Sequence, residues 1–257
     1  SLKCIKRPKG SAVCKNCLIK FEYNFRDRHG SYKFCTRKCS SKYQSKNSFW
    51  MIATMDEIKE HLKKTDLDDL TEKEIAIKLY EHVRDYWPYS PYRFSLEKRD
   101  WKASEIIKHK KGHCLDKAVL LITFLRANNI PAKLGLAKVK NHIAVDDIVE
   151  KFGSDVLVPH GYVAIFLNNK WVKATPAFNK ELCDMLGVSV LEFNGENDSL
   201  FQEFDKTGNH SFMEYLEDYG TFDAVPLEYM LELMLQHYPN IQKKNVKLGD
   251  VLDLAHL

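Results

Sequence analysis

No run of about 18 apolar residues occurs in the sequence, so a membrane-spanning helix is not expected. Internal repeats and low-complexity tracts are also missing. The chain starts basic and polar, unlike a signal peptide. Cysteine is scarce where a disulfide-stapled fold would need it. Five of the seven cysteines fall in the first 39 residues, leaving only Cys114 and Cys183 beyond. Such usage fits a reducing, cytoplasmic setting better than a secreted one. With 257 residues the chain can bury a proper core, in one large or two unequal domains.

Charge is uneven in the same way. Residues 1–46 hold 13 Lys and Arg against Glu22 and Asp27, a net +11. The remainder holds 26 basic and 33 acidic residues, a net −7. A basic module joined to an acidic body implies an electrostatic role for the module, towards nucleic acid, an acidic partner or the body itself. The division expected is a module over residues 1–46 and a domain over residues 47–257.

Cys14-Lys15-Asn16-Cys17 is a C-x2-C knuckle, and Cys35-Thr36-Arg37-Lys38-Cys39 a C-x3-C knuckle, with 17 residues between them. Each knuckle puts two sulfurs on one metal, and the intervening chain brings the pairs together. Cys14, Cys17, Cys35 and Cys39 are therefore candidate ligands of a structural zinc ion. Two disulfides are the alternative, and Cys4 is left over. Tyr23-Asn24-Phe25 and Tyr32-Lys33-Phe34 read as two short strands around a turn at Arg28–Ser31. The arrangement resembles a treble-clef or ribbon-like zinc finger. So small a module would scarcely fold without its metal. Lys33, Arg37 and Lys38 are where it would touch nucleic acid.

After a linker over residues 44–52, helical spacing runs over residues 55–64 and 72–86. Thr71 and Glu74 form a capping box before the second, whose apolar face is Ile75, Ala76, Leu79, His82 and Val83. Aromatics alternate with prolines over residues 86–92, as a cleft wall or as filler at a core edge. A short helix at Ser104–Lys108 precedes a strongly apolar one from Cys114 to about Asn129. Extended runs follow at Ala132–Lys140 and His160–Leu167. The latter turns at Asn168-Asn169 into Trp171–Ala174 as a hairpin. A strand over Ser189–Phe193 and helices over Phe212–Tyr219 and Pro226–His237 complete the expected elements.

Cysteine at a helix start has a chemical use. Unpaired N–H groups and a partial positive charge there favour thiolate, and the same N–H groups can hold an oxyanion. A histidine brought alongside would act as its base. Of the ten histidines, His160 at the head of a strand suits best, with His142 in reserve. His113 adjoins Cys114, so its side chain is expected to point elsewhere. On residue types alone, Cys114 reads equally as a buried structural thiol.

Taken together, Gly112-x-Cys114, Leu125-Arg126-Ala127-x-x-Ile130-Pro131-Ala132, His160-Gly161-Tyr162-Val163 and Trp171-Val172-Lys173-Ala174-Thr175-Pro176 resemble the transglutaminase-like superfamily in its prokaryotic form. Val83–Tyr89 looks like that family's upstream helix end. Glu214–Gly220 with Val225-Pro226 looks like its C-terminal helix in bacterial members. The resemblance covers roughly residues 70–235. It implies an α+β, papain-like core: a Cys-bearing helix packed on an antiparallel sheet that carries His. It further implies Cys114 as nucleophile and His160 as base.

The chain departs from the family at the third catalytic position, usually Asp before the Pro of the Trp-Val strand. Thr175 stands there. Its hydroxyl can orient an imidazole but supplies no negative charge, and Asn179 is a substitute of the kind papain-like enzymes use. The expected activity is acyl transfer from an amide bond of a protein or peptide, by hydrolysis or transamidation. The alternative is a weak or inactive transglutaminase-fold binding protein whose basic zinc module docks an acidic partner or nucleic acid. Peptide N-glycanases also join cysteine knuckles to such a core, but their surrounding signatures differ from these.

Overall fold

The computed structural model describes residues 9–13, 20–24, 55–142 and 146–253. Strands β1 (Lys9–Val13) and β2 (Lys20–Asn24) pair antiparallel, with Lys9 opposite Asn24 and Val13 opposite Lys20. The connection between them carries Cys14 and Cys17. The strand expected at Tyr23–Phe25 overlaps β2, whose described partner is β1; Tyr32–Phe34 lies outside the described residues. Lys9-Gly10-Ser11-Ala12-Val13 has little intrinsic strand preference, so pairing decides its conformation. Cys4, the four candidate zinc ligands, Lys33, Arg37, Lys38 and the linker lie outside the described residues.

The body begins with α1 (Met55–Lys63) and α2 (Glu72–Tyr86). Thr71 caps α2 as expected: its N–H donates to Glu74 Oε2 at 2.9 Å, and Glu74 N donates back to its Oγ1 at 3.3 Å. The buried face of α2 is rotated from the expected one. Tyr80 and Arg84 join Ala76, Leu79 and Val83 inside, and Ile75 and His82 are only half-buried. Short elements β3 (Arg93–Ser95) and α3 (Ala103–Ile106) lead to α4 (Cys114–Ala127). Helix α4 is buried on all sides, as a helix apolar around its circumference must be. Asn129, with φ of 61°, ends it.

Strands β4 (Ala132–Asn141), β5 (Val156–Leu167) and β6 (Lys170–Ala174) follow, with α5 (Asp146–Phe152) between the first two. Asn168 and Asn169 both have positive φ, 46° and 64°, in the two-residue turn joining β5 to β6. Asparagine tolerates that conformation, which matches the twist of the flanking strands. Next come α6 (Lys180–Leu186), β7 (Met213–Phe222), α7 (Leu227–His237), α8 (Pro239–Lys243) and β8 (Val251–Asp253). The main sheet is antiparallel in the order β6-β5-β4-β7, and β3 pairs separately with β8. Helix α4 packs between α2 and the β4–β5 pair. The result is a mixed α/β fold with antiparallel sheets. No described helix is long and apolar enough to cross a membrane.

Two expected elements are corrected. The helix predicted over Phe212–Tyr219, including the Glu214–Gly220 part of the resemblance, is strand β7. Its backbone pairs along β4, from Asn141 opposite Met213 to Leu134 opposite Phe222. A helix there would leave that side of β4 without ladder partners, and tertiary pairing overrides local preference. Ser189–Phe193 forms no strand. Side chains occupy its carbonyls instead: Tyr80 Oη and Arg84 Nη1 donate to Leu191 O at 2.8 and 2.9 Å, and Gln202 Nε2 donates to Ser189 O at 2.9 Å. Pro226 sits at the N-cap of α7 rather than inside its first turn.

Candidate active site

Helix α4 brings Cys114 against β5, an internal strand of the main sheet. His113 caps it, with Nδ1 accepting from Leu115 N at 3.1 Å and Asp116 N at 3.2 Å, and Asp116 Oδ2 accepting from His113 N at 3.1 Å. An imidazole here does the work usually left to Ser, Thr, Asp or Asn. The expectation that His113 points elsewhere is overturned, because its ring lines the same cavity as Cys114. The oxyanion expectation narrows for the same reason. The N–H groups of Leu115 and Asp116 are taken by His113, so of the three N–H groups of Cys114, Leu115 and Asp116, that of Cys114 is the one His113 leaves for a ligand.

Strand β5 supplies the opposite side. Gly161 lies against the first turn of α4, and a Cβ there would meet Leu115 Cδ2 at 2.6 Å and Leu115 Cα at 3.1 Å. Only glycine permits this approach. It lets Gly161 N donate to Cys114 Sγ at 3.4 Å. The segment before α4 is fixed by a second pair of backbone bonds, Gly112 N to Pro88 O at 3.1 Å and Ser90 N to Gly112 O at 3.0 Å. These hold Tyr89 and Pro91 beside Cys114, where both line the cavity. Trp87 of the same aromatic stretch is buried in the core. Both readings of residues 86–92 thus apply, to different residues.

His160 sits between two cavities. One, of about 60 Å³, is shared with Cys114, and a smaller one is shared with Thr175. His160 is 4% exposed, and neither ring nitrogen has a hydrogen-bond partner among the described residues. No hydrogen bond therefore joins it to Cys114 Sγ. Burial pushes the imidazole down to about 4, helped by the neighbouring His113. Burial likewise pushes the Cys114 thiol up to about 11, against the opposing effect of the Gly161 N–H. The thiolate expected from the helix N-terminus is therefore not the resting form: desolvation outweighs the helix end.

The remaining sequence candidates separate clearly. Thr175 is buried beside the smaller cavity, and its Oγ1 has no partner; its backbone N–H donates to Ser199 O at 2.9 Å. Asn179 commits its amide elsewhere, with Oδ1 accepting from Tyr89 N at 3.0 Å and Nδ2 donating to Glu181 Oε2 at 2.6 Å. It thereby positions the Tyr89 wall and makes no bond to His160. His142 is exposed, 3.5 Å from Glu214 Oε2, and lines neither cavity.

Sequence reasoning missed several groups here. Lys117, one turn along from Cys114, is fully buried, and its Nζ donates to Arg84 O at 2.7 Å and Ala177 O at 2.5 Å. Burial lowers it to about 7. A lysine inside so apolar a run was a visible signal. Tyr238 has no comparable signal. It lines the Cys114 cavity from beyond α7, and its Oη accepts from Val158 N at 2.6 Å.

None of the curated proteins matches the chain. A crystal structure described as a putative cysteine protease from Cytophaga hutchinsonii aligns at 12% identity and a TM-score of 0.35. The alignment covers 73% of this chain and 53% of that one. Residues 58–176 match the family model of the transglutaminase-like superfamily. That span runs from α1 to the end of the β5–β6 hairpin and contains Cys114, His160 and Thr175, so this part of the chain is similar to the transglutaminase-like core.

Proposed function

We propose that the domain is a cysteine-dependent acyl-transfer enzyme acting on amide bonds of a peptide or protein. Cys114 is its nucleophile and His160 its base, with Thr175 at the third position, across the smaller cavity from His160 and not bonded to it. One observation carries the reading: Cys114 on α4 and His160 on β5, 46 positions apart in the chain, line one cavity. The match to the transglutaminase-like superfamily over residues 58–176 supports it.

The resting pair is a neutral thiol and a neutral imidazole. The thiol proton therefore moves to His160 as Sγ bonds to the substrate carbonyl carbon, and not before. In this reading the Cys114 N–H donates to the oxygen that becomes anionic. Collapse of the adduct breaks the C–N bond, and the leaving amine takes the proton from His160. Water, or a second amine, then attacks the thioester and gives its proton to His160. That proton returns to sulfur as the C–S bond breaks, releasing an acid or a new amide.

A fluorogenic peptidyl amide assay tests this. Cys114→Ala and His160→Ala are each expected to lower kcat/KM by at least about 10³-fold with folding intact. Turnover surviving Cys114→Ala would sink the reading. The same assay addresses the second reading, a binding protein on this fold. What favours that one is the Sγ partner, which is Gly161 N and not His160.

For residues 1–46 the proposal is a structural zinc ion on Cys14, Cys17, Cys35 and Cys39. Four thiols in two knuckles suit tetrahedral zinc, and the β1–β2 pair brackets the first knuckle. Metal analysis of the full chain is expected to return about one zinc per molecule. A zinc content that Cys14→Ser leaves unchanged would refute the assignment.

A further inference from the structure

We infer that the cavity beside Cys114 is a subsite for an uncharged aliphatic side chain next to the scissile carbonyl. It would select leucine-like residues over a glutamine side chain or a charged one. The inference rests on Cys114 being the nucleophile, as proposed above.

The walls carry the argument. Phe152 ends α5, Leu157 and Val158 belong to β5, Met234 comes from α7, and Tyr238 and Pro91 close the rest. Among the described residues, the polar side chains that line it besides Cys114 are the rings of His113 and His160 and the hydroxyls of Tyr89 and Tyr238. No Lys, Arg, Asp, Glu, Asn or Gln is among the described residues that line it. Two of the four polar groups are partly engaged, since His113 Nδ1 caps α4 and Tyr238 Oη accepts from Val158 N. An ammonium or carboxylate entering this space would leave water and meet no opposite charge, and a carboxamide would have to compete for the few uncharged rings and hydroxyls. Sites penalise unpaired polar groups far more strongly than a change of one methylene.

Size narrows the choice further. At about 60 Å³ the cavity is well under the roughly 150 Å³ that takes up a benzene ring. A short branched aliphatic group therefore suits the space better than an indole. The aromatic walls hold the shape: Phe152 and Tyr238 have ring centroids 4.5 Å apart, and Asn240 Nδ2 ties α5 down by donating to Glu150 O and Lys151 O at 3.2 and 3.1 Å.

Acetylated amino-acid chloromethyl ketones report on this subsite directly. Sγ forms a bond to the reagent's methylene carbon, the C–Cl bond breaks, and chloride leaves with its electron pair. The thiol proton passes to His160 or solvent. Labelling of Cys114 in the full chain is followed by peptide mass mapping, with leucyl, glutaminyl, aspartyl and lysyl reagents. Each rate is normalised to that of iodoacetamide, which does not need the subsite. The leucyl reagent is expected to react at least about 10-fold faster than the other three. Leu157 is half-buried on the wall, so Leu157→Lys places a cation there without emptying the core. It is expected to reduce the leucyl preference several-fold and to favour the aspartyl reagent. Equal rates for all four reagents, with Cys114 open to iodoacetamide, would overturn the subsite and leave the nucleophile standing. A Cys114 that iodoacetamide reaches only in denaturant would overturn both.

Discussion

Thr175 is the residue on which the chemistry of this site turns. An imidazole that takes a proton from sulfur becomes a cation, and a carboxylate beside it stabilises that cation. Here the position before Pro176 offers a hydroxyl whose oxygen has no partner, facing the same small cavity as His160. Nothing anionic counters burial, and the imidazole sits down at about 4. Thr175→Asp supplies the missing charge. It is expected to raise the His160 pKa well above 4, because an opposite charge favours the protonated ring. It is also expected to raise kcat/KM for a peptidyl amide by about 10-fold or more, given how much such a carboxylate contributes in full triads. NMR titration of His160 and the amide assay measure the two effects. An unchanged His160 titration would show that residue 175 does not act on the ring.

At the scale of elements, the site exists because β5 crosses the first turn of α4 almost in backbone contact. Gly161 makes that crossing possible, so Gly161→Ala should push the strand and helix apart. A methyl 2.6 Å from Leu115 Cδ2 is expected to cost about 1–3 kcal/mol in urea unfolding. Leu115→Ala in the same chain should recover part of that loss, and a double-mutant cycle with no coupling would contradict the contact. Legibility in the sequence differs by element in the same physical terms. Helix α4 could be read because every turn of it is apolar, and the β5–β6 hairpin because Asn168-Asn169 is turn chemistry. Strand β7 could not: Glu214, Glu217 and Asp218 give its outer edge a helix-like polarity, and only the need of β4 for a partner makes it extended. Cys114 and His160 were legible as a pair through the ordered motifs around them. The capping by His113, the diversion of Asn179 to Tyr89 and Glu181, and the walls from α5 and α7 were not. Each depends on which long-range neighbour arrives at the site.

Across the whole molecule, buried histidines set the response to acid. His160 and His82 are both pushed down to about 4, first by desolvation, and His61 beside His82 is lowered too. His160 Nδ1 and Nε2, His61 Nδ1 and His82 Nε2 are buried without partners. The rings of His61 and His82 pack among Tyr86, Trp87 and Phe124, with Lys64 nearby as a like charge. A folded pKa below the unfolded value of about 6.5 means that the unfolded chain binds protons first as pH falls. The stabilisation is complete above about pH 6.5 and is lost as pH drops through 4. Asp85 and Asp218 lie below the ordinary carboxylate range, so their contributions are lost at still lower pH. Glu74, Glu181 and Glu196 are lowered as well and start to contribute at about pH 5, so the upper part of the interval, between about 6.5 and about 5, isolates the histidines. For the fully buried His160 the loss is on the order of 3 kcal/mol. Urea unfolding at a series of pH values is expected to show stability falling across that interval. His160→Phe should remove about one proton from the slope, because the substituted ring cannot charge on unfolding. A slope that His160→Phe leaves untouched would mean that His160 is not held neutral in the fold, and the neutral thiol–imidazole pair would go with it.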